Sequence, residues 1–276
     1  MNAKARIKAQ IPALSESEKT VADWILNNAE TVLRMPMAQV AKICQVSDAT
    51  VLRMCRNAGF AGFSDMKMSL AQDSMNPTQI IHEDIQPADN TEAIIRKVYA
   101  SNIQALYDTL EMTDFAAMGR AVELIASAKK VQIAAVGGSL IVAQALSQRL
   151  FRNGIACDAP ADIHLQIIHA SLLNPEDVLI AVSYSGRTKD IVLMLENAQA
   201  NHVQTILITG NPKSRAAALS TLVLTSVSHE IRSEPIAARI AQISIVDSLS
   251  ILYAFRNVEK TIAFEKRIEN ALFSKT

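Results

Sequence analysis

Apolar positions recur at helical spacing from Val21 onward, and residues 1 to about 73 read as short helices. After residue 130 the apolar positions change to short unbroken runs separated by polar turns. Val21, Trp24, Ile25 and Ala29 follow Ser15-Glu16-Ser17-Glu18, where serine and a glutamate three residues later form a capping box. A second short helix is predicted over Met37 to Cys44, with Val40, Ala41 and Ile43 apolar. Ser47 caps a third from Asp48 to Ala58, and Gly59 terminates it. After Gly59-Phe60-Ala61-Gly62-Phe63-Ser64, the serine is expected to cap another helix through Ala71.

Residues 74–90 contain two prolines and few periodic apolar positions, which marks a linker; His82 within it reads as solvated. Asp89 or Asn90 then caps a long helix through about Met112, and Thr113-Asp114 opens another to about Ala128. Beyond it, strands are predicted at Val131–Val136, Ile155–Cys157, Val178–Val182, Gln204–Ile208 and Leu222–Thr225. Helices are predicted between them and over Pro235–Arg256 and Glu259–Phe273. Strand and helix alternating in this way give a doubly wound, five-stranded parallel sheet with helices on both faces. The expected organisation is an all-α domain at 1–73, a linker at 74–90 and an α/β domain at 91–276.

Two short helices joined by a tight turn, after a longer first helix, are the pattern of a helix-turn-helix. In the third helix Val51, Cys55 and Ala58 share one face and should pack inward. Ala49, Thr50, Arg53, Arg56 and Asn57 are left for the outer faces, with Ser47 at the cap, and Arg53 is a candidate base or phosphate contact. A helical bundle that never touches DNA carries the same periodicity. Charge adds little: between Gln39 and Lys67, Lys42, Arg53, Arg56 and Lys67 stand against Asp48 and Asp65.

The 276 residues leave room for two domains, and with half of them hydrophobic a sizeable core is expected. A formal net charge of zero argues against a general nucleic-acid coat and leaves local patches open. Cys44, Cys55 and Cys157 are three, each in an apolar pattern, as for reduced thiols in the cytosol. The basic N-terminus is followed by no continuous apolar segment, so no signal peptide is read. The apolar window Val131–Leu146 is broken by Gln132, Gly137-Gly138-Ser139 and Gln144 and falls short of a membrane span. A cytoplasmic protein without membrane contact is expected.

The densest candidate chemistry is Val182-Ser183-Tyr184-Ser185-Gly186-Arg187-Thr188-Lys189-Asp190, between the third strand and its helix. Hydroxyls and a glycine at a helix N-terminus suit a phosphate; a polar turn capped by Thr188 is the simpler alternative. Open parallel sheets bind ligands beyond the carboxyl ends of the strands, where strand order reverses. With order 2-1-3-4-5, that crevice receives Gly137-Gly138-Ser139 and Ser183–Thr188, which favours the anion reading. The first turn lacks three spaced glycines and no Walker A sequence occurs, so no nucleotide cofactor is expected; separately, no metal site is expected. His164 follows the second strand and could reach the ligand, though a lone histidine is as readily structural. Glu234 precedes the long helix and could accept sugar hydroxyls or serve only as a helix N-terminal acid.

Both halves resemble one family, the RpiR-type bacterial transcriptional regulators. The N-terminal match rests on Val40-Ala41 to Val46-Ser47, Thr50-Val51-Leu52-Arg53 and Gly59-Phe60-Ala61-Gly62-Phe63-Ser64-Asp65-Met66-Lys67. Residues from about 110 to 255 are similar to a sugar isomerase (SIS) domain through Gly137-Gly138-Ser139, Asp162-Ile163-His164, Ser183–Asp190 and Ala237-Ala238-Arg239-Ile240-Ala241-Gln242. The resemblance implies a DNA-binding regulator, a repressor of sugar or amino-sugar catabolism, controlled by a phosphosugar. It further implies a homodimer or dimer-built tetramer on an inverted-repeat operator. By carry-over Ser139, Ser183, Ser185 and Thr188 would hold the phosphate, with His164 and Glu234 facing the sugar. N-acetylmannosamine 6-phosphate, from the sialic-acid branch, is one effector the resemblance offers. The alternative is a sugar-phosphate isomerase with a helical appendage, for which His164 and Glu234 are the candidate bases.

Overall fold

The computed structural model describes residues 3–33, 35–73, 84–230 and 235–273. They form two compact units, one up to Ile94 and one from Ile95 onward. The first contains α1 (Ala3–Gln10), α2 (Glu16–Asn27), α3 (Ala29–Val32), α4 (Met37–Ile43), α5 (Asp48–Asn57) and α6 (Phe63–Asp73). The sequence gives no periodic signal for α1, because Lys4, Arg6 and Lys8 dominate it. It is held by Ala3 and Ile7, four residues apart and both buried in the core of this unit.

The turn between α4 and α5 rests on Gln45, a non-glycine residue at φ 54°. There the Val46 N–H reaches back to the Ala41 carbonyl at 2.9 Å and the Gln45 N–H to Lys42 at 3.2 Å, closing the helix end. Helix α5 ends in the same way: Gly59, at φ 83°, lets the Phe60 N–H bond the Cys55 carbonyl at 2.9 Å. Val51, Cys55 and Ala58 are buried as expected, joined by Met54. Full burial of such a side chain contributes roughly 1.5–3 kcal/mol. Ser64 is not a cap. Helix α6 begins one residue earlier, at Phe63, and Asp65 instead accepts the Ala61 N–H at 2.8 Å.

The second unit contains α7 (Thr91–Glu111) from Ile95 on, α8 (Phe115–Ser127), β1 (Val131–Ala135), α9 (Ser139–Arg152), β2 (Cys157–Asp158), α10 (Ile163–Ser171), β3 (Val178–Val182), α11 (Lys189–Ala200), β4 (Gln204–Thr209), α12 (Arg215–Leu219), β5 (Leu222–Thr225), α13 (Ile236–Arg256) and α14 (Val258–Phe273). The five strands are parallel in the order β2-β1-β3-β4-β5, as the alternation predicts. Side chains alternate across the sheet. Ile133, Ile180 and Ile206 pack under α8, α9 and α13, while Ala134, Leu179 and Leu207 pack under α10, α11 and α12.

Two details depart from expectation. The second strand pairs over Cys157–Asp158 only, because Ile155 belongs to the end of α9: its N–H bonds the Leu150 carbonyl at 3.1 Å past Gly154 at φ 79°. Helix α13, rather than the Val131–Leu146 window, is the one helix among the described residues long and apolar enough to cross a membrane. Its Ile245, Val246 and Leu249 belong to the core shared with α8 and α9.

Candidate effector site and DNA-facing helix

Strands β1 and β3 are neighbours with Ala135 opposite Val182, so the turns that follow them leave the same edge of the sheet side by side. This is where strand order reverses, because β2 lies on one side of β1 and β3 on the other. Beyond β3, Ser183 is 3 % exposed and still tied to the sheet through its N–H to Ile208 at 3.0 Å. The chain then turns tightly: the Gly186 N–H bonds the Ser183 carbonyl at 3.1 Å with Gly186 at φ 62°. The turn brings the Thr188 hydroxyl to 3.3 Å from that of Ser183.

Thr188 occupies the cap position of α11, yet its side chain does not cap the helix. The first N–H groups of α11, from Lys189 onward, have no acceptor within the helix and carry the positive end of its dipole. The simple reading of a Thr188-capped turn therefore fails on geometry. Ser185 is exposed and accepts the Arg187 N–H at 3.2 Å, which stiffens the loop from within.

The loop is braced by residues that the sequence reading did not single out. Thr209, fully buried at the end of β4, donates to the Tyr184 carbonyl at 3.2 Å and accepts the Asn211 N–H at 3.1 Å. The Gly210 N–H reaches the same Tyr184 carbonyl at 2.9 Å. A Cβ at Gly210 would run into the Tyr184 ring, and one at Gly186 into Ser214, so both glycines are fixed by close approach. The Tyr184 hydroxyl donates to the Ser228 carbonyl at 3.3 Å, and burial pushes its phenol upward from the ordinary value. A run of small residues, Thr209-Gly210-Asn211, after a predicted strand was the available signal.

Beyond β1, Gly137 at φ 61° faces open space, and Ser139 is the first residue of α9 behind Gly138, whose position carries no side-chain cap. His164 lies exposed in the first turn of α10, where Asp162 caps by accepting the Leu165 N–H at 2.9 Å. Two residues on, buried Gln166 accepts the Ala135 N–H at 3.0 Å and donates to the Ala135 carbonyl at 2.9 Å. It thereby pairs the end of β1 that the short β2 leaves uncovered and holds the start of α10 beside the crevice. Glu234 lies outside the described residues, as does His82. Among the described residues, Glu230 accepts the Ala237 N–H of α13 at 2.7 Å.

On α5, Ser47, Ala49, Arg53, Arg56 and Asn57 are exposed. Thr50 is not, and this corrects its assignment to the outer face. It is 6 % exposed, its hydroxyl sits 3.0 Å from that of Ser47, and it accepts from the Arg53 guanidinium at 3.1 Å. At the third position of the helix its side chain folds back on the cap instead of projecting outward. Asn57 donates its side-chain amide to Glu18 of α2 at 3.2 Å.

The helix-turn-helix domain of the rpiR family matches residues 1–77, and the SIS domain matches residues 124–252. The chain is 31 % identical to the HTH-type transcriptional regulator HexR of Escherichia coli (strain K12), over 99 % of its own length and 94 % of that protein. It is also 31 % identical to YbbH of Bacillus subtilis (strain 168), an uncharacterized HTH-type transcriptional regulator, over 98 % and 96 % of the two chains. Among solved structures it is similar to the Vibrio vulnificus NanR protein complexed with ManNAc-6P. The TM-score there is 0.72 at 28 % identity, covering 98 % of both chains. The chain belongs to the rpiR family of HTH-type transcriptional regulators, with a SIS domain behind its helix-turn-helix.

Proposed function

We propose that this regulator represses a sugar or amino-sugar catabolic operon and is controlled by a phosphosugar held beyond β1 and β3. The observation that carries the reading is the Ser183–Thr188 hydroxyl pair at the start of α11, with Thr188 not spent on capping. Two hydroxyls, the helix N–H groups and the dipole together suit a phosphate dianion. Ser139 and Ser185 complete the phosphate cradle, and His164 and Glu234 face the sugar. The likeness to NanR complexed with ManNAc-6P supports N-acetylmannosamine 6-phosphate as the first effector to test.

Residues 1–73 are the DNA-binding domain, 74–90 the linker and 91–276 the sensor, acting in the cytoplasm. Ser47, Ala49, Arg53, Arg56 and Asn57 make the DNA-facing surface, with Thr50 supporting it. An inverted-repeat operator demands a matching two-fold in the protein, so the working unit is a homodimer or a tetramer built from dimers. The phosphosugar acts by binding one arrangement of that assembly more tightly than another.

The test is a thermal-shift panel on the full chain with N-acetylmannosamine 6-phosphate, glucose 6-phosphate, ribose 5-phosphate and their unphosphorylated sugars, followed by binding to the DNA upstream of its own gene. A ligand specific for the folded state raises the melting temperature. Stabilisation only by phosphorylated sugars, with altered DNA affinity, supports the reading. Equal stabilisation by the free sugars, or DNA binding that ignores a bound phosphosugar, refutes it. Turnover of these compounds, lost in Glu234→Gln or His164→Ala, would assign the chain to the isomerases instead.

A further inference from the structure

Glu18 belongs to α2 and forms the expected capping box there: one carboxylate oxygen, Oε2, accepts the Ser15 N–H at 3.0 Å and the Ser15 hydroxyl at 2.9 Å. The other oxygen does something the local sequence does not foretell. Oε1 accepts from the Asn57 side-chain amide at 3.2 Å and lies 3.8 Å from Nε of Arg53, both on α5. The carboxylate side chain is 8 % exposed, whereas that of Arg53 is 62 % exposed. The Arg53 guanidinium is held a second time, by donation to the Thr50 hydroxyl at 3.1 Å.

We propose that Glu18 is a positioning residue for DNA readout, which orients the Arg53 guanidinium and masks its charge so that Arg53 discriminates base edges instead of gripping any phosphate. This rests on the reading of α5 as the helix that faces DNA. A guanidinium hydrogen-bonded at one terminal nitrogen and drawn at Nε toward a buried carboxylate is biased to present its remaining N–H donors outward in one plane. Such a plane suits the paired acceptors on the major-groove edge of guanine. A phosphate gains mainly from net charge, and the buried carboxylate beside Arg53 offsets that charge. Glu18 thus penalises the non-specific contact more than the directional one, and discrimination is a difference of the two.

Glu18→Gln is the decisive variant, because glutamine still completes a capping box while losing the charge and one acceptor. The full chain is measured against two probes: a duplex recovered by the wild type from a randomised pool, and a duplex of unselected sequence. Glu18→Gln is expected to bind the unselected duplex about five-fold more tightly and to steepen its salt dependence by about one. The ratio of selected to unselected affinity should fall about ten-fold. In an Arg53→Ala background Glu18→Gln should change these far less, leaving only what passes through Asn57. Loss of stability alone weakens binding to both probes and cannot raise affinity for the unselected one.

Should Glu18→Gln fold poorly, Arg53→Lys supplies the same test. It keeps the charge but not the planar fork, so discrimination should fall while non-specific binding persists. Unchanged discrimination in either folded variant overturns the proposal, as does an equal effect of Glu18→Gln without Arg53. Arg53→Ala binding both probes like the wild type would refute the assignment of Arg53 to the DNA-facing surface, and this proposal with it. An effect of Arg53→Ala with none of Glu18→Gln would refute this proposal alone.

Discussion

The hydroxyl of Ser183 lies 3.3 Å from the hydroxyl of Thr188, across a turn closed by Gly186. One is anchored at the end of a central strand and the other begins a helix, so the pair is preorganised by the sheet rather than by the loop alone. Thr188→Val removes one donor without disturbing a cap, because Thr188 makes none. Binding of whichever phosphosugar stabilises the wild type, followed by calorimetric titration, should weaken at least ten-fold if the proposed site is right, as expected for a lost bond to a charged group of about 1.5–3 kcal/mol. Stability without ligand should fall by only about 0.5–1.5 kcal/mol, the share of the bond to Ser183.

Gly186 combines φ 62° with contact to Ser214, so an added Cβ is disfavoured twice. Gly186→Ala should destabilise the second unit by more than about 1 kcal/mol and, if the proposed site is right, abolish phosphosugar binding. Urea unfolding followed with and without the ligand reads both effects.

Tyr184 links the Ser183–Thr188 loop to the segment after β5, where its hydroxyl meets the Ser228 carbonyl. The preceding residue, Val227, bonds the Thr109 hydroxyl of α7 at 2.8 Å. A continuous chain of contacts therefore runs from the loop to α7. Tyr184→Phe should leave phosphosugar affinity within about ten-fold of wild type, the upper scale of one hydrogen bond of about 0.5–1.5 kcal/mol. The change in DNA affinity caused by the ligand should shrink in the same variant. An undiminished response in DNA-binding titrations would exclude this route of coupling.

Gln45 holds the helix-turn-helix corner in the left-handed region, where glycine is the least strained residue. Gln45→Gly should raise the stability of the N-terminal unit, or leave it level, by about 0–1 kcal/mol, since relief of strain competes with the added freedom of the unfolded chain. Thermal unfolding of the pair of proteins measures the sign. A loss above 1 kcal/mol would mean that the Gln45 side chain contributes contacts of its own.

Burial pushes the Cys55 thiol from 9.0 to about 12. Between those values the unfolded chain releases the proton and the folded chain keeps it. The folded state therefore binds more protons, and stability falls as pH rises from about 9 to about 12. The slope approaches about 1.4 kcal/mol per pH unit. Cys55→Ala should be less stable than wild type at pH 8 and show a shallower loss across that range in urea titrations.

Much of this molecule was written locally. Helix periods, the Ser47 and Asp162 caps, the Gly59 stop and the unbroken apolar runs of β1, β3 and β4 each depend on a few adjacent residues. The alternation of strand and helix then leaves little choice but a parallel sheet. From that sheet the pairing of the Gly137 and Ser183 turns follows. Only the tertiary structure decided which polar side chains do what, because their partners are distant in sequence. Glu18 and Asn57 are 39 positions apart, and Gln166 and Ala135 are 31 apart. Thr50 was read outward from helical phase alone, but its hydroxyl finds Ser47 and Arg53, and a satisfied hydroxyl can be buried at little cost. Periodicity reports which face an apolar side chain must hide. For a hydroxyl, amide or carboxylate it says nothing, since such a group goes wherever its hydrogen bonds are met.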